Sequence, residues 1–258
     1  MTALTYDRYC DEILAQTDEL RALLKGADPA ARVPTCPDWS LRELAAHVGG
    51  AHRWVGEIVR SRATEDIPEE RIPGYAGPDG EGPAALDAWL AEGADTAVAA
   101  LREAGSGAEV WTWSWDRRTD FWVRRMTHET VVHRADAALA AGAVFEVAPE
   151  VAADTIDEWL RIVAFSQAGG DPEAAELRGG GRSLHLHATD VPDAEWLIEF
   201  GEEGFTWRRA HEKATVALRG PLTDLMLVFN RRLDPGSDRV EVLGDAELLD
   251  FWLERSSF

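Results

Sequence analysis

The sequence predicts an α+β protein of two domains, in which a helical bundle precedes a smaller domain of helices packed on a sheet. Its 258 residues fall between the size of one large domain and that of two ordinary ones. Apolar residues recur with a period of about 3.6 through the first half, and the period changes toward about 2 beyond the Gly-rich stretch 169–181. We therefore expect domains at 1–145 and 146–258, the second of which includes a linking helix.

The second helix has the clearest start signal in the first domain. Ser40 and Glu43 have the S-x-x-E spacing of a capping box, so this helix is expected to begin at Leu41. Amphipathic spacing, or a proline in the first turn, predicts three more helices over 6–24, 83–103 and 120–140. Four helices in succession indicate a bundle.

The second domain is expected to combine helices with antiparallel strands. A helix over 149–166 comes first, and then Leu184 and Leu186 alternate with His185 and His187, as in a half-buried strand. Further alternating segments lie near 196–200, 205–207 and 216–218, followed by a helix to about 231, a strand over 240–243 and a terminal helix capped by Asp245. Short polar turns between the strands favour an antiparallel meander covered by helices.

Composition and charge disfavour several kinds of partner. The chain has 26 Lys and Arg residues against 47 Asp and Glu residues, and the resulting net charge of −21 argues against binding to nucleic acid or to an anionic membrane. The apolar residues form no run near the ~18 residues of a membrane span, and the N-terminal residues lack the pattern of a secretory signal. A cytoplasmic location is therefore expected, with Cys10 and Cys36 present as thiols.

The strongest chemical candidate is the segment His128–His133 on the fourth helix. Glu129 and His133 are four residues apart, so on a helix they project from adjacent turns of one face and are close enough to hold a single ion. The metalloprotease motif HExxH would need a histidine at position 132, where the chain has Val132. The spacing thus allows a metal site and disfavours a zincin protease.

A third ligand would have to come from another helix, and the second helix offers both His47 and His52. Both lie on or beside its apolar stripe, so periodicity does not choose between them. On spacing alone, ordinary polar residues at the edge of the core are a better account of these side chains than a metal site.

Other features carry weaker signals. His185 and His187 point to one face of a strand and could bind a metal, but a solvated sheet face is the favoured interpretation. Gly179, Gly180 and Gly181 precede a strand and are best explained as a flexible connector. Cys36 lies before a helix start, where a thiol can be activated, but an inert thiol is favoured because local sequence places no histidine beside it.

Several stretches together resemble the mycothiol-dependent maleylpyruvate isomerase family. They read V-P-T-C-P-D-W at 33–39, L-A-A-H-V at 44–48, H-E-T-V-V-H-R at 128–134, L-H-L-H-A-T-D at 184–190, R-G-P at 219–221 and V-L-G-D at 242–245. The resemblance spans nearly the whole chain. It implies a DinB-like four-helix bundle that carries a divalent metal, followed by a smaller sterol-carrier-like domain. It also implies the ligand set His47, Glu129 and His133, with His52 as a neighbour.

The same resemblance implies an assisting arginine in the second domain, which we expect to be Arg231 or Arg232. Two imidazoles and a carboxylate leave open metal positions, and zinc is their usual occupant, although iron also binds such a set. The predicted function is then an enzyme in which metal-activated mycothiol attacks an electrophilic small molecule, giving cis–trans isomerisation or thiol S-transfer. The alternative is a non-catalytic module with a cleft for a small apolar ligand, lined by some of the 11 tryptophans.

Overall fold

In the computed structural model the chain divides into two compact units, Leu4–Phe145 and the residues from Glu146 onward. The structure describes residues 4–78 and 82–256, and residues 1–3, 79–81 and 257–258 lie outside this description. Residues 1–3 belong to the N-terminal stretch on which the expectation about a secretory signal rests. Among the described residues, no helix combines the length and apolar character that a membrane crossing requires. The predicted α+β class, with helices first and a mixed layer afterwards, is confirmed.

The described residues of the first unit form four long helices, and each begins within one residue of its predicted start. They are α1 (Tyr6–Gly26), α2 (Leu41–Ser61), α3 (Pro83–Ala104) and α4 (Thr119–Ala141). The capping box at the start of α2 is formed, because the Ser40 hydroxyl accepts the Glu43 N–H and the Glu43 carboxylate accepts the Ser40 N–H at 2.7 Å. The helix pairs α1–α4 and α2–α3 make the most extensive contacts in this unit.

A short hairpin between α1 and α2 is a feature that the sequence did not predict. It consists of β1 (Arg32–Val33) and β2 (Cys36–Ser40). Two residues are too few to show alternation, and Pro37 within β2 argues against a strand in sequence reading. The hairpin ends where α2 begins, and the hydroxyl of Thr35 at its tip bonds to Asp136 of α4, so the tip lies beside the bundle.

The packing around α2 fixes the rotation of this helix. Leu44 and Val48 are fully buried in one apolar cluster with Leu20 of α1, Val33 of the hairpin and Ala137 of α4. Burial of each large apolar side chain stabilises the fold by about 1.5–3 kcal/mol. On another face of α2, a Cβ atom at Gly49 would collide with the Trp89 ring of α3, so the close approach of α2 and α3 requires glycine there.

In the part of the second unit that the structure describes, there are a five-stranded sheet and three α-helices. Its elements are α5 (Pro149–Ala168), β3 (Ser183–Ala188), β4 (Glu195–Phe200), β5 (Phe205–Arg208), β6 (Val216–Gly220), α6 (Leu222–Phe229), β7 (Glu241–Gly244) and α7 (Ala246–Arg255). The strand order is β5-β4-β3-β6-β7. Leu184, Leu186 and Trp196 are fully buried, in agreement with the alternation read from the sequence.

The sheet is mixed, which corrects the expectation of a purely antiparallel meander. The central strand β3 pairs antiparallel with β4 but parallel with β6, where Leu186 lies opposite Leu218. Successive strands suggested a meander because neighbours in sequence often pair in the sheet. Here the chain instead leaves β5 and crosses to the other side of β3 before it forms β6.

Candidate metal centre

Three side chains from α2 and α4 meet at one point in the first unit. The Nε2 atom of His47 lies 2.8 Å from Oε1 of Glu129, and the Nε2 atom of His133 lies 3.2 Å from the same oxygen. One candidate ligand atom from each of the three residues lies within 4.8 Å of those of the others. The structure therefore brings together all three residues of the expected ligand set.

Helix geometry explains this meeting. Glu129 and His133 are four residues apart on α4, so their side chains lie on adjacent turns of one face. His47 is in the second turn of α2, whose start is set by the capping box and whose rotation is set by the buried Leu44 and Val48. The pair on α4 is thus a local feature, whereas the position of His47 beside it depends on how two helices pack.

The other histidine that periodicity left open, His52, lies in a different environment. Its ring is completely buried, and its Nε2 atom lies 2.9 Å from the Thr130 hydroxyl. Burial lowers the pKa of His52 to about 4, so the ring is neutral at pH 7. Positions 47 and 52 are separated by about 140° around a helix, so only one of them can face Glu129.

A buried carboxylate holds the ring of His133 from its far side. Oδ2 of Asp136 lies 2.9 Å from Nδ1 of His133, and Asp136 is completely buried. Thr35, at the tip of the hairpin, donates a hydrogen bond to the other oxygen of Asp136, and the Cys36 sulfur lies 3.7 Å from Oδ2. When His133 is neutral, this arrangement retains the proton on Nδ1 and leaves the Nε2 lone pair facing Glu129. The contact from Thr35 could not be predicted, because it depends on the hairpin.

Charges around Glu129 favour its ionised form. Burial would raise the pKa of Glu129, but the charge and hydrogen bond of His133, the hydrogen bond of His47 and the guanidinium of Arg125 together hold it well below the usual range. The Arg125 side chain lies 3.0 Å from Oε2 of this carboxylate. Burial would likewise lower the pKa of His133, but Glu129 and Asp136 raise it to about 9. The cluster therefore attracts positive charge in the absence of a metal.

An aromatic ring from the hairpin covers the two histidines. The ring centroid of Trp39 lies 4.8 Å from that of His47 and 5.8 Å from that of His133. The two imidazoles are edge to face, with centroids 4.9 Å apart. The hairpin thus contributes both a polar support, through Thr35, and an apolar wall.

The two arginines expected to assist the chemistry follow α6 in the second unit. This helix ends at Phe229, two residues before the predicted end. Arg231 is exposed and has a left-handed backbone with φ of 63°, and the Arg232 side chain donates a hydrogen bond to the Asn230 carbonyl at 2.7 Å. Their catalytic role stays a prediction.

Several tryptophans that suggested a lined cleft pack against one another. The rings of Trp54, Trp111 and Trp122 contact each other with centroids between 5.1 and 6.1 Å apart. Trp113 and Trp115 both contact Phe121 and are 38% and 40% exposed. Much of the tryptophan content of this unit is therefore accounted for by its core and its edge.

Comparison with known proteins agrees with this architecture. A model of the mycothiol maleylpyruvate isomerase N-terminal domain matches residues 10–138, and a model of the MDMPI C-terminal domain matches residues 150–251. No curated protein matches the chain.

Two solved structures share the fold. The crystal structure of the mycothiol-dependent maleylpyruvate isomerase has a TM-score of 0.61 at 16% identity, over 94% of this chain and 95% of that chain. A histidine-to-alanine mutant of that enzyme has a TM-score of 0.57 at the same identity and coverage. Because the two family models together cover most of the sequence, the chain belongs to the mycothiol-dependent maleylpyruvate isomerase family.

Proposed function

We propose that the protein is a metal-dependent enzyme that uses a low-molecular-weight thiol, mycothiol, on an electrophilic small molecule. The observation that carries the proposal is the cluster of His47, Glu129 and His133, which lies within the stretch that matches the isomerase N-terminal domain. The similar solved structures are of an enzyme whose name states mycothiol dependence. Chemistry at the cluster and membership of the family thus support the same function.

The residues present fit a divalent metal. Two neutral imidazoles and one carboxylate with a divalent ion give a centre of net charge +1, and three protein ligands leave a coordination position open, as in catalytic sites. We propose zinc as the occupant, since it is the usual ion for nitrogen and oxygen donors of this kind; Fe(II) is the competitor that the same donor set accepts. When bound, the metal supplies a Lewis acid that favours the thiolate form of a thiol at neutral pH.

The surrounding residues orient the proposed ligands. Once His133 loses its second proton, Asp136 keeps the remaining one on Nδ1, so that Nε2 can bind a metal. Arg125 binds Oε2 of Glu129, and Oε1 is thereby left to the two histidines. Ligands whose orientation is fixed before binding lose less conformational entropy when they bind.

The proposed reaction begins with formation of a bond between sulfur and an electrophilic carbon. When sulfur adds to a cis alkene conjugated to a carbonyl, the double bond becomes a single bond, about which rotation is free. When the sulfur leaves, the double bond forms again in the trans configuration. A substrate with its own leaving group would instead end as an S-conjugate. We propose that Arg231 or Arg232 holds a substrate carboxylate, since a guanidinium binds one through two parallel hydrogen bonds.

The experiment is to supply mycothiol and maleylpyruvate to the metal-loaded full chain, the metal-stripped chain and the His47→Ala variant. Conversion that needs both thiol and metal, and that is lost in His47→Ala, is the expected result. Unchanged thiol concentration would indicate isomerisation, and stoichiometric thiol consumption would indicate S-transfer. Equal rates in wild type and His47→Ala would refute the proposal. A metal-free protein that binds apolar ligands without turnover would support the non-catalytic module instead.

A further inference from the structure

The second unit contains a group of three histidines and a glutamate that the proposed function does not use. They are His185 and His187 on β3, Glu195 on β4 and His211 in the loop between β5 and β6. One candidate ligand atom from each residue lies within 4.8 Å of those of the other three. Strand alternation places only His185 and His187 on one face, whereas the fold adds a carboxylate and a third imidazole.

Strand register explains how the first three side chains come together. His187 lies directly opposite Glu195 in the antiparallel β3–β4 pair, and His185 is two residues earlier, so all three project from the same face. The loop that carries His211 is held near the unit's helix α5 by Arg209, which pairs with the carboxylate of Asp157. Neither alternation nor motif spacing links His211 to the strand residues.

The nitrogen atoms converge on a single point. Oε2 of Glu195 lies 2.7 Å from Nε2 of His185, 2.9 Å from Nδ1 of His187 and 2.7 Å from Nδ1 of His211. A carboxylate oxygen has about two lone pairs with which to accept hydrogen bonds, so three ring donors on one oxygen exceed its capacity. A cation among the same atoms would accept one lone pair from each ring.

The spacing of the three rings is close to, and slightly wider than, the spacing that chelation requires. Three imidazoles bound to one tetrahedral zinc ion through nitrogen atoms at about 2.0–2.1 Å have ring centroids about 5 Å apart. The observed centroid separations are 5.6 Å between His185 and His187, 5.7 Å between His185 and His211, and 5.4 Å between His187 and His211. An ion among the three nitrogen atoms would take the place that Oε2 of Glu195 now occupies between them, and this oxygen would move back to become the fourth ligand.

Exposure differs among the four side chains in a way that suits an ion entering from solution. The side chain of His185 is 8% exposed and that of Glu195 is 17% exposed, whereas that of His211 is 76% exposed. The sheet thus holds three of the side chains in place, and the fourth, His211, lies where the cluster opens to solvent. The net charge of −21 also raises the local concentration of cations around the chain.

We propose that His185, His187, Glu195 and His211 form a second metal site, which binds zinc through four protein ligands and fastens the β5–β6 loop to the sheet. A closed set of four protein ligands is the pattern of structural zinc sites, whereas three ligands and an open position are the pattern of catalytic ones. The role of this site is therefore stability of the second unit. It stands independently of the function proposed for the helical unit.

The test is to titrate the metal-stripped full chain with Zn²⁺ alone and to count bound equivalents by calorimetry and elemental analysis. We expect two equivalents in wild type and one in His211→Gln. The zinc affinity of the site in the second unit should fall by more than about 100-fold, because loss of a direct ligand should cost more than loss of a residue that only supports a ligand. The exposed position of His211 lets this variant fold, and glutamine still donates a hydrogen bond to Glu195. Lys213→Ala, in the same loop, is the matched control and should keep both equivalents.

A second pair of variants separates this proposal from the one for the helical unit. His47→Ala should lose one equivalent of zinc and keep the other. The triple variant that combines His47→Ala with His185→Gln and His187→Gln should bind none. Replacement of Zn²⁺ by Co²⁺ in His47→Ala should give the intense visible absorption of a tetrahedral site. A wild-type chain that takes up a single equivalent lost in His47→Ala, or a zinc content that His211→Gln leaves unchanged, would overturn the second site.

Discussion

Each of the two histidine clusters is arranged around a carboxylate, but different backbone elements bring the side chains together. In the helical unit, α4 supplies Glu129 and His133 through a spacing of four residues, and α2 supplies the third side chain. In the second unit, alternation along β3 supplies two histidines, the facing strand supplies the carboxylate, and a loop supplies the last imidazole. With zinc bound as proposed, the first cluster would leave a coordination position open and the second would not, so the first suits chemistry and the second suits structural support.

The supports around the clusters differ as well. In the helical unit, Asp136 and Arg125 contact the proposed ligands His133 and Glu129 from behind and hold ring and carboxylate in one orientation. In the second unit, Glu195 contacts all three imidazoles. Ligands that have their own outer hydrogen bonds keep their geometry when a substrate displaces a solvent molecule. Similar sets of side chains can thus differ in role through the number of ligands that they offer and through the groups that hydrogen-bond to those ligands.

The largest effect is expected from loss of a ligand in the helical unit. Glu129→Gln removes the negative charge between the two histidines, so zinc affinity at this site should fall by more than about 100-fold, beyond the usual contribution of a supporting residue. Thiol-dependent turnover should be lost with the metal. Elemental analysis and the rate with mycothiol measure the two effects. Glu57→Gln, which changes a carboxylate paired with Arg60 on α2, is the control and should keep both. Wild-type zinc content in Glu129→Gln would contradict the ligand assignment.

A smaller effect is expected from the support behind His133. Asp136→Asn replaces an acceptor with a group that can donate, so the ring no longer keeps its proton on Nδ1 and Nε2 is a poorer ligand. Zinc affinity should fall about 10- to 100-fold, while the site in the second unit should keep its affinity. Thr35→Val, which removes only the outer hydrogen bond to Asp136, should have a weaker effect in the same direction. Equal zinc affinity in Asp136→Asn and wild type would show that the contact does not tune the ligand.

The sequence predicted the local half of each cluster better than the long-range half. The pairs Glu129 with His133 and His185 with His187 follow from helix and strand periods. The choice between His47 and His52 did not follow, because both lie near one apolar stripe and only the packing of α2 on α4 separates them. The resemblance to a family, and not periodicity, selected His47.

Element boundaries show the same division between local and long-range information. The start of α2 was predictable because Ser40 and Glu43 form a local capping box. The parallel pairing of β3 with β6 was not, because it depends on a crossover between strands that are distant in sequence. The hairpin of β1 and β2 was missed because it is too short to show a period, although Thr35 and Trp39 at the candidate site belong to it.

The histidine that does not join the first cluster should reveal itself through pH. The pKa of His52 is lowered to about 4 in the folded protein, against 6.5 when unfolded. The unfolded chain therefore takes up the proton first as pH falls below about 6.5, and the stability due to neutral His52 is lost progressively toward pH 4. Between pH 7 and pH 5 this loss should be about 2 kcal/mol in the metal-free chain.

Hydrogen exchange of the α2 and α4 amides measures this difference when wild type is compared with His52→Gln, which can still bond to Thr130 and does not titrate. The gap in opening free energy between the two proteins should change by about 2 kcal/mol between the two pH values. A gap that stays constant would mean that His52 does not remain neutral in the folded state.

The smallest effects are expected at the starts of two helices, one in each unit. Ser40 caps α2 with a hydrogen bond from the Glu43 N–H, so Ser40→Ala should destabilise α2 by about 1 kcal/mol.

Asp245 is at the N-cap position of α7, where the sequence predicts a cap, but its side chain makes no such hydrogen bond in the described structure. Asp245→Ala should therefore cost only the interaction of its charge with the helix dipole, about 0.3–1 kcal/mol and toward the lower limit because the residue is exposed. Native-state hydrogen exchange of the two helices measures both values, and added salt should reduce the effect of Asp245→Ala but not that of Ser40→Ala. Equal, salt-independent losses would mean that Asp245 caps α7 in solution as Ser40 caps α2.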